Sequence, residues 1–320
     1  MKHNPGDTTM QLTNMREAFG KALVALGAVR DDFVVLDADV AGGTGTYHFR
    51  EAFPDRFIQC GIAEQNMFCV AAGLSTTGVI PIATCYAVFA AMRAVEQARN
   101  AIAYPNFNVK IVASHLGLDV GPDGATHQCL EDLAIFRAIP NFTVVSPAGP
   151  RELAACLPAV LDHPGPVYLR TGRSDLPDIH DDPPDFALGR GEIVRQGTDA
   201  TIVAVGVMVH RALAAAETLA EQDVSCQVVN LSTVKPIDAA LLTACARQTG
   251  CVVTAEDHTI HGGLGGAVAE VLGEYAPVPL KRVGVADVFG ESGSPEALAV
   301  LYGLTPADIA AAVLQVMARK

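Results

Sequence analysis

A single carboxylate interrupts an apolar stretch of the sequence at Gly61-Ile62-Ala63-Glu64-Gln65-Asn66-Met67. Phe57-Ile58 precedes this stretch as a short strand, and residues 68–74 continue it with small and apolar side chains on every side. A helix that is apolar all round is buried in a core or an interface. Glu64 is therefore expected where a lone carboxylate is costly, and a partner group must hold it.

Strands and helices alternate on both sides of Glu64. The strands are continuous apolar runs, which is typical of a parallel sheet covered on both faces. The predicted strands are 33–39, 57–60, 79–83, 109–113, 144–145 and 167–170, and the predicted helices are 13–29, 64–74, 88–103 and 150–162.

A second α/β unit follows a break in the pattern. Prolines and acids crowd residues 175–185, which predicts a linker. Beyond it, strands are predicted at 200–206, 226–230 and 251–254, and helices at 209–222, 238–248, after Gly262-Gly263, and at 306–319.

The composition indicates an ordinary globular chain. Half of its 320 residues are hydrophobic, and this length has room for about two domains. The formal net charge of -13 argues against nucleic acid as a partner, since nucleic-acid binders carry basic patches. No run reaches the roughly 18 apolar residues of a membrane span, and the start of the chain lacks a signal-peptide core. We expect no membrane partner.

The eight cysteines lie far apart, and none forms a Cys-x-x-Cys pair. Several lie in apolar runs, as Cys69 and Cys85 do. Free buried thiols in a reducing compartment are expected, rather than a metal site or a disulfide framework. This pattern favours a cytoplasmic location.

Two glycine-rich turns and one loop could carry chemistry. Gly42-Gly43-Thr44-Gly45 follows a strand and could cradle an anion with backbone amides, although it lacks the spacing of the phosphate loops. Residues 262–266 fit a closely packed helix start better than a dinucleotide turn. The loop 115–128 follows the strand at 109–113, where ligands bind in open α/β sheets. Its histidines and aspartates suit a site, but its spacing matches no common metal-ligand pattern, and a plain surface loop remains the alternative.

Three segments taken together resemble the pyrimidine-binding half of transketolases: 61–67, Thr84-Cys85-Tyr86-Ala87-Val88-Phe89, and 120–128 with its Asp-Gly-Ala-Thr-His-Gln ending. The resemblance implies two doubly wound α/β domains. A mostly parallel-sheet pyrimidine-binding domain would cover 1–176, a linker 177–190, and a smaller Rossmann-like transketolase C-terminal domain 191–320.

The resemblance also implies thiamine diphosphate as cofactor. Glu64 matches the glutamate that shares a proton with the cofactor's pyrimidine ring, which activates its thiazolium carbon. Phe89 matches the aromatic residue that stacks on the pyrimidine, and Tyr86 a second aromatic. Met92 stands where some members have tyrosine. Asp39 and Val40 match strand-end residues near the thiazolium.

Substrate residues follow from the same resemblance. His115, Asp123 and His127 match residues that contact the donor's hydroxyls and carbonyl, and His127 is the better candidate for proton transfer, with His115 beside it. Arg16 and Arg170 match positions that hold a sugar phosphate. The chain departs from the family at Gly42-Gly43-Thr44, where serines are common, and at Pro122, which replaces a usual Glu.

The resemblance implies only half of an enzyme. The other half, which holds the diphosphate through Mg²⁺ (or Ca²⁺) with a Gly-Asp-Gly…Asn motif, has no counterpart here. No metal ligand is therefore assigned to this chain. We expect a separate N-terminal transketolase subunit as partner, in a heterotetramer with two copies of each chain. This assembly is expected to transfer a two-carbon ketol unit from a ketose phosphate to an aldose phosphate.

Two rival functions stay open at this point. One is the β subunit of a 2-oxo acid dehydrogenase or a deoxyxylulose-phosphate synthase, which share the fold and the glutamate. The paired histidines, His115 and His127, favour transketolase over both. The other is a non-catalytic scaffold that has kept the fold, against which Glu64, Phe89 and His127 occurring together argue.

Overall fold

The N-terminal half is an α/β unit built around a parallel sheet. Residues 12–320 are described here in a computed structural model. The strands of this half are β1 (Thr13–Asn14), β2 (Phe33–Asp37), β3 (Phe57–Gln59), β4 (Ile80–Tyr86), β5 (Lys110–Ser114), β6 (Thr143–Val145), β7 (Val167–Arg170) and β8 (Asp175–Leu176). Its α-helices are α1 (Met15–Gly27), α2 (Ala41–Thr44), α3 (Tyr47–Ala52), α4 (Glu64–Ser75), α5 (Val95–Gln97), α6 (Asp132–Ala138) and α7 (Pro150–Asp162).

The C-terminal half is a second α/β unit with a sheet of its own. Its strands are β9 (Glu192–Arg195), β10 (Ala200–Ala204), β11 (Cys226–Asn230), β12 (Thr233–Lys235), β13 (Val252–Thr259) and β14 (Leu280–Val285). Its helices are α8 (Met208–Ala220), α9 (Ala239–Thr249), α10 (Leu264–Tyr275), α11 (Pro295–Leu301) and α12 (Pro306–Met317).

One strand of the second half joins the sheet of the first. The seven-stranded sheet has the order β12-β6-β7-β5-β4-β2-β3 and is parallel except for β12. The second sheet has the order β14-β13-β10-β11-β9, with only β9 antiparallel. The mostly parallel α/β architecture is thus confirmed. The pairing of β12 with β6 in the sheet of the first half was not predicted. A strand of three residues carries no local signal of a partner so far away in the sequence.

Several shorter elements were also absent from the prediction. They are either edge strands with charged residues, such as β14 (Leu-Lys-Arg-Val-Gly-Val), or helices of seven residues or fewer. Neither kind produces the long apolar runs on which the prediction depends. Residues 177–191 contain no helix or strand, in line with the expected linker, although the domain boundaries themselves stay predictions.

Helix α4 buries only one of its faces within this chain. Met67, Phe68, Ala71 and Ala72 are buried, whereas Gln65, Asn66 and Cys69 are exposed. All eight cysteines are free, but the expectation that Cys69 is buried is wrong for the isolated chain. Cys69 lies on the face of α4 that the rest of the described chain does not cover.

The predicted helix at 88–103 has an irregular course. Phe89–Arg93 and Ala98–Ala103 are π-helical, with α5 between them. Wide turns of this kind occur frequently at functional sites. Here the first wide turn presents Phe89 and Arg93 to the start of α4.

The stretch Pro295–Met317 is long and apolar enough, by length and composition alone, to cross a membrane. The structure divides it into α11 and α12, with Gly303 at a φ of 70° between them. Helix α12 buries Ile309, Val313 and Val316 in the core of the second half. Packing in that core accounts for the apolar character of α12.

Candidate active site

Glu64 is a buried carboxylate held by a single arginine. It is the first residue of α4 and is 1% exposed. Nη1 of Arg93 donates to both carboxylate oxygens, at 3.0 Å and 2.8 Å. Arg93 is therefore the partner that the sequence requires for this carboxylate. It was missed, because only the wide π-helical turn at Phe89–Arg93 directs its side chain at Glu64.

The same arginine lies against an aromatic ring. Its guanidinium carbon is 4.2 Å from the centroid of the Phe89 ring, which is a cation–π contact. The Arg93 side chain is 45% exposed, in contrast to the carboxylate that it covers. Glu64 and Phe89 together therefore bind a planar group that carries N–H donors.

Three rings form a cluster with Phe89. The rings of Tyr86 and His115 stack with centroids 3.8 Å apart. His127 lies 5.6 Å from Phe89 and 6.3 Å from Tyr86, in edge-on contacts. The structure thus places Phe89 in one cluster with three other predicted site residues, Tyr86, His115 and His127.

The two histidines of the cluster differ in environment. His115 is buried, and its Nδ1 lies 2.9 Å from Oγ of Ser114. Burial, with the nearby charges of Arg173 and Arg16, lowers the pKa of His115 to about 3, so its ring is neutral at ordinary pH. His127 is partly exposed, with Nδ1 2.9 Å from Oγ1 of Thr126. Its Nε2 is therefore the free nitrogen of this ring among the described contacts.

The glycine-rich turn supports Tyr86. A Cβ on Gly43 would lie 2.2 Å from the Tyr86 hydroxyl, so only glycine fits there. Residues 41–44 form the short helix α2, in which the Gly43 and Thr44 amides both donate to the Val40 carbonyl. Two of the turn's backbone amides are therefore used within the helix and are not available to an anion, and an anion cradle at this turn stays a prediction for the others.

Asp37 organises the strand end that carries Asp39 and Val40. Its buried carboxylate accepts hydrogen bonds from the Val40 amide at 2.9 Å and from Oγ1 of Thr46 at 3.2 Å. Asp39 has a positive φ of 64°, and its amide donates to the Gln59 side chain at 3.0 Å. These contacts fix the turn beside the ring cluster. The role of Asp37 was not predicted, because acids at strand ends look alike in sequence.

The second half of the chain braces the loop of Asp123 and His127. The buried carboxylate of Asp257 accepts from the amides of Leu118 and Asp119, at 2.9 Å and 3.1 Å. Gln128 donates to the carbonyl of Glu291 at 2.9 Å. The loop is thus held by two separate contacts to the C-terminal half, which makes a plain surface loop the weaker interpretation.

Arg170 does not reach this site. It is 3% exposed, and Nε and Nη2 donate to the two oxygens of Asp132 at 2.9 Å and 3.0 Å. Nη2 also donates to the Asp257 carbonyl at 3.3 Å. Its donors are used in the interior, because Arg170 is the last residue of a strand buried on both faces. The geometry therefore does not support a substrate role for it.

Arg173, three residues later, is the better-placed cation. Its Nη1 lies 3.2 Å from Oδ2 of Asp123 and also donates to the Val120 carbonyl. Arg16, at the start of α1, is partly exposed and is near enough for its charge to lower the pKa of His115. The charges of both guanidinium groups act on His115 and Tyr86, and the two groups could hold an anionic end group.

Two further features concern cofactor and metal. Met92 is 45% exposed next to Arg93, and its predicted contact with a pyrimidine stays a prediction.

Among residues 12–320, no group of three or more His, Cys, Asp or Glu is arranged to hold a metal ion. The paired contacts of Glu64 and Phe89 with a planar N–H donor fit an aminopyrimidine ring. The residues present therefore suit that end of thiamine diphosphate.

Family models match nearly the whole chain. The transketolase pyrimidine-binding domain matches residues 11–178, and the transketolase C-terminal domain matches residues 189–309. A putative transketolase C-terminal section from Methanocaldococcus jannaschii is 44% identical over 96% of this chain and 97% of its own length. A 6-deoxy-6-sulfo-D-fructose transketolase subunit from Clostridium sp. is 41% identical over 99% of both chains.

Solved structures show the same relationship. A split-gene transketolase, described as an inactive β4 tetramer, aligns with a TM-score of 0.90 at 50% identity and covers 95% of this chain and 98% of that one. A transketolase from Campylobacter jejuni aligns with a TM-score of 0.80 at 22% identity, which shows the shared fold. This chain spans 48% of the Campylobacter protein.

Proposed function

Because the chain belongs to the transketolase family, whose pyrimidine-binding and C-terminal domains it matches in order, we propose that it is the C-terminal subunit of a split transketolase. The enzyme would transfer a two-carbon ketol unit from a ketose to an aldose. One observation carries the proposal. A carboxylate that is 1% exposed opens α4, and the guanidinium that pairs with it lies over Phe89, the ring that contacts His127.

Thiamine diphosphate, when bound, supplies the carbon nucleophile that attacks the ketose carbonyl. Glu64 holds a proton at the pyrimidine ring nitrogen, and Phe89 stacks on the ring and orients it. Burial of the Glu64 carboxylate keeps water away from that proton. Asp39 and Val40 shape the adjoining wall through the turn that Asp37 fixes.

The ring cluster serves the substrate. His127, with a partly exposed imidazole, exchanges a proton with the substrate oxygen. His115 is neutral because burial lowers its pKa to about 3, so it donates or accepts a hydrogen bond without a net charge. Asp123 binds a sugar hydroxyl, and Arg16 with Arg173 binds the anionic end, which a guanidinium fork suits.

A second chain would complete the site. Relatives at 34–44% identity are named as a subunit or a C-terminal section, and the 50% identical split-gene structure is described as an inactive β4 tetramer. We propose that an N-terminal subunit holds the diphosphate through Mg²⁺, in a cytoplasmic heterotetramer. The anionic substrate is proposed to be a sugar phosphate; the sulfonated and phosphorylated sugars in the relatives' names make both anions worth assaying.

Reconstitution with such a partner tests the proposal. The purified pair is expected to show thiamine-diphosphate-dependent transfer from a ketose phosphate to an aldose phosphate. Glu64→Ala should abolish it, and Glu217→Ala, an exposed acid on the distant α8, should not. Condensation of pyruvate with an aldose phosphate would instead identify a deoxyxylulose-phosphate synthase activity, to which the chain is also related. Unchanged transfer in Glu64→Ala would contradict the assignment.

A further inference from the structure

We propose that Arg93 is a displaceable latch, which occupies the place of the aminopyrimidine ring until the cofactor binds and then swings out of it. This inference rests on the proposed function, because it concerns the cofactor end that Glu64 and Phe89 would hold.

Arg93 makes both of the contacts that the ring requires. Its Nη1 donates to the two oxygens of Glu64 at 3.0 Å and 2.8 Å, and its guanidinium carbon lies over the Phe89 ring, 4.2 Å from the centroid. An aminopyrimidine would present the same chemistry, a flat surface for the aromatic ring and a hydrogen bond to the carboxylate. Two planar groups cannot stack on the same face of Phe89 while bonding the same oxygens.

The difference in burial decides which group moves. Glu64 is 1% exposed and is fixed at the first turn of α4, whereas the Arg93 side chain is 45% exposed. The guanidinium can leave into solvent with little loss of hydration, since a long flexible stem carries it. The carboxylate is buried on the same helix as the core residues Met67 and Phe68, so it has no comparable path into solvent.

The latch also explains how the subunit tolerates a buried carboxylate before it meets its cofactor. An unpaired ion in that position would be costly, and Arg93 supplies the missing charge. The wide π-helical turn at Phe89–Arg93 places the cation one turn from the ring on which it stacks. Cofactor binding then replaces one partner of Glu64 by another, so the ion pair is a cost that binding must overcome.

Removal of the latch should therefore tighten cofactor binding. In the reconstituted complex, titration calorimetry with thiamine diphosphate and Mg²⁺ is expected to give a Kd for Arg93→Ala about fivefold below that of the unmodified protein, which corresponds to ~1 kcal/mol for a partly exposed ion pair. Arg93→Gln, which keeps the length of the side chain but not its charge, should move Kd in the same direction and guards against a folding defect of the alanine variant.

Two controls isolate the Arg93–Glu64 contact. Arg99→Ala removes an exposed arginine of the same helical stretch that bonds only the neighbouring Asn100 among described residues, and should leave Kd unchanged. In a Glu64→Gln background the Arg93→Ala effect should largely disappear, because no ion pair remains to be broken.

The sign of the change in Kd decides the outcome. Weaker binding in Arg93→Ala would show that Arg93 stays on Glu64 and positions it for the cofactor, and an unchanged Kd would show that it does neither; both overturn the latch. If the unmodified complex binds no thiamine diphosphate at all, the proposed function fails, and that result is distinct from a failure of the latch alone.

Discussion

Removal of the Asp132 carboxylate should destabilise the protein strongly while leaving the active site chemistry in place. Asp132 is fully buried and neutralises Arg170, which is 3% exposed. It also accepts a hydrogen bond from the Tyr168 hydroxyl at 2.7 Å. Asp132→Ala therefore leaves a buried cation and a buried hydroxyl group without their partner.

The expected loss is about 3–5 kcal/mol, the usual cost of breaking a buried pair on one side. The unpaired Tyr168 hydroxyl adds roughly 1 kcal/mol to this loss. For a chain of this size such a loss lowers Tm by roughly 10 °C. Thermal and urea unfolding of the isolated chain measure it directly.

A double replacement provides the matched control. Asp132→Leu combined with Arg170→Met removes both charges and keeps apolar volume, so it should recover at least half of the lost stability, since well-packed apolar residues often replace buried ion pairs without cost. A loss below about 1 kcal/mol in Asp132→Ala would refute the account. A selective rise in the KM for anionic substrate in Arg170→Met, with unchanged Tm, would instead show that Arg170 binds substrate.

Three other outcomes follow from single positions. Gly43→Ala should lower kcat/KM at least about tenfold, because its Cβ would lie 2.2 Å from the Tyr86 hydroxyl and must displace that ring. Unchanged kinetics would show that α2 does not support the site. Burial lowers the pKa of Lys110 from 10.5 to about 7, so between these values the unfolded chain binds more protons and stability rises with pH. Lys110→Met should flatten that rise in Tm between about pH 7 and 9, and an equal slope in both proteins would exclude Lys110 as its source. Because the pKa of His115 is lowered to about 3, its ring NMR signals should stay constant between about pH 5 and 8, and a midpoint in that range would contradict the buried neutral ring.

The sequence predicts the sheet and the Glu64 segment for a clear physical reason. Buried parallel strands are continuous apolar runs, and a carboxylate within such surroundings stands out. The strands around Glu64 and the loop after β5 could be placed on that basis. The linker followed from its prolines and acids.

What could not be predicted depends on contacts between distant parts of the chain. Arg93 lies 29 residues from Glu64, and only the wide π-helical turn directs it at the carboxylate. Arg170 and Arg173 are both near a strand end, and spacing alone does not tell which guanidinium points into the interior. Asp257, 138 or more residues from the loop that it braces, carries no sign of that role in its own surroundings.

The central claim is that this chain carries one half of a thiamine diphosphate site. Calorimetric titration of the cofactor with Mg²⁺ into the chain alone, and then into the chain with its N-terminal partner, tests it most directly. We predict no saturable binding to the chain alone, and one cofactor per copy of this chain in the complex, lost in Glu64→Ala. Tight binding and turnover by the chain alone would contradict the account.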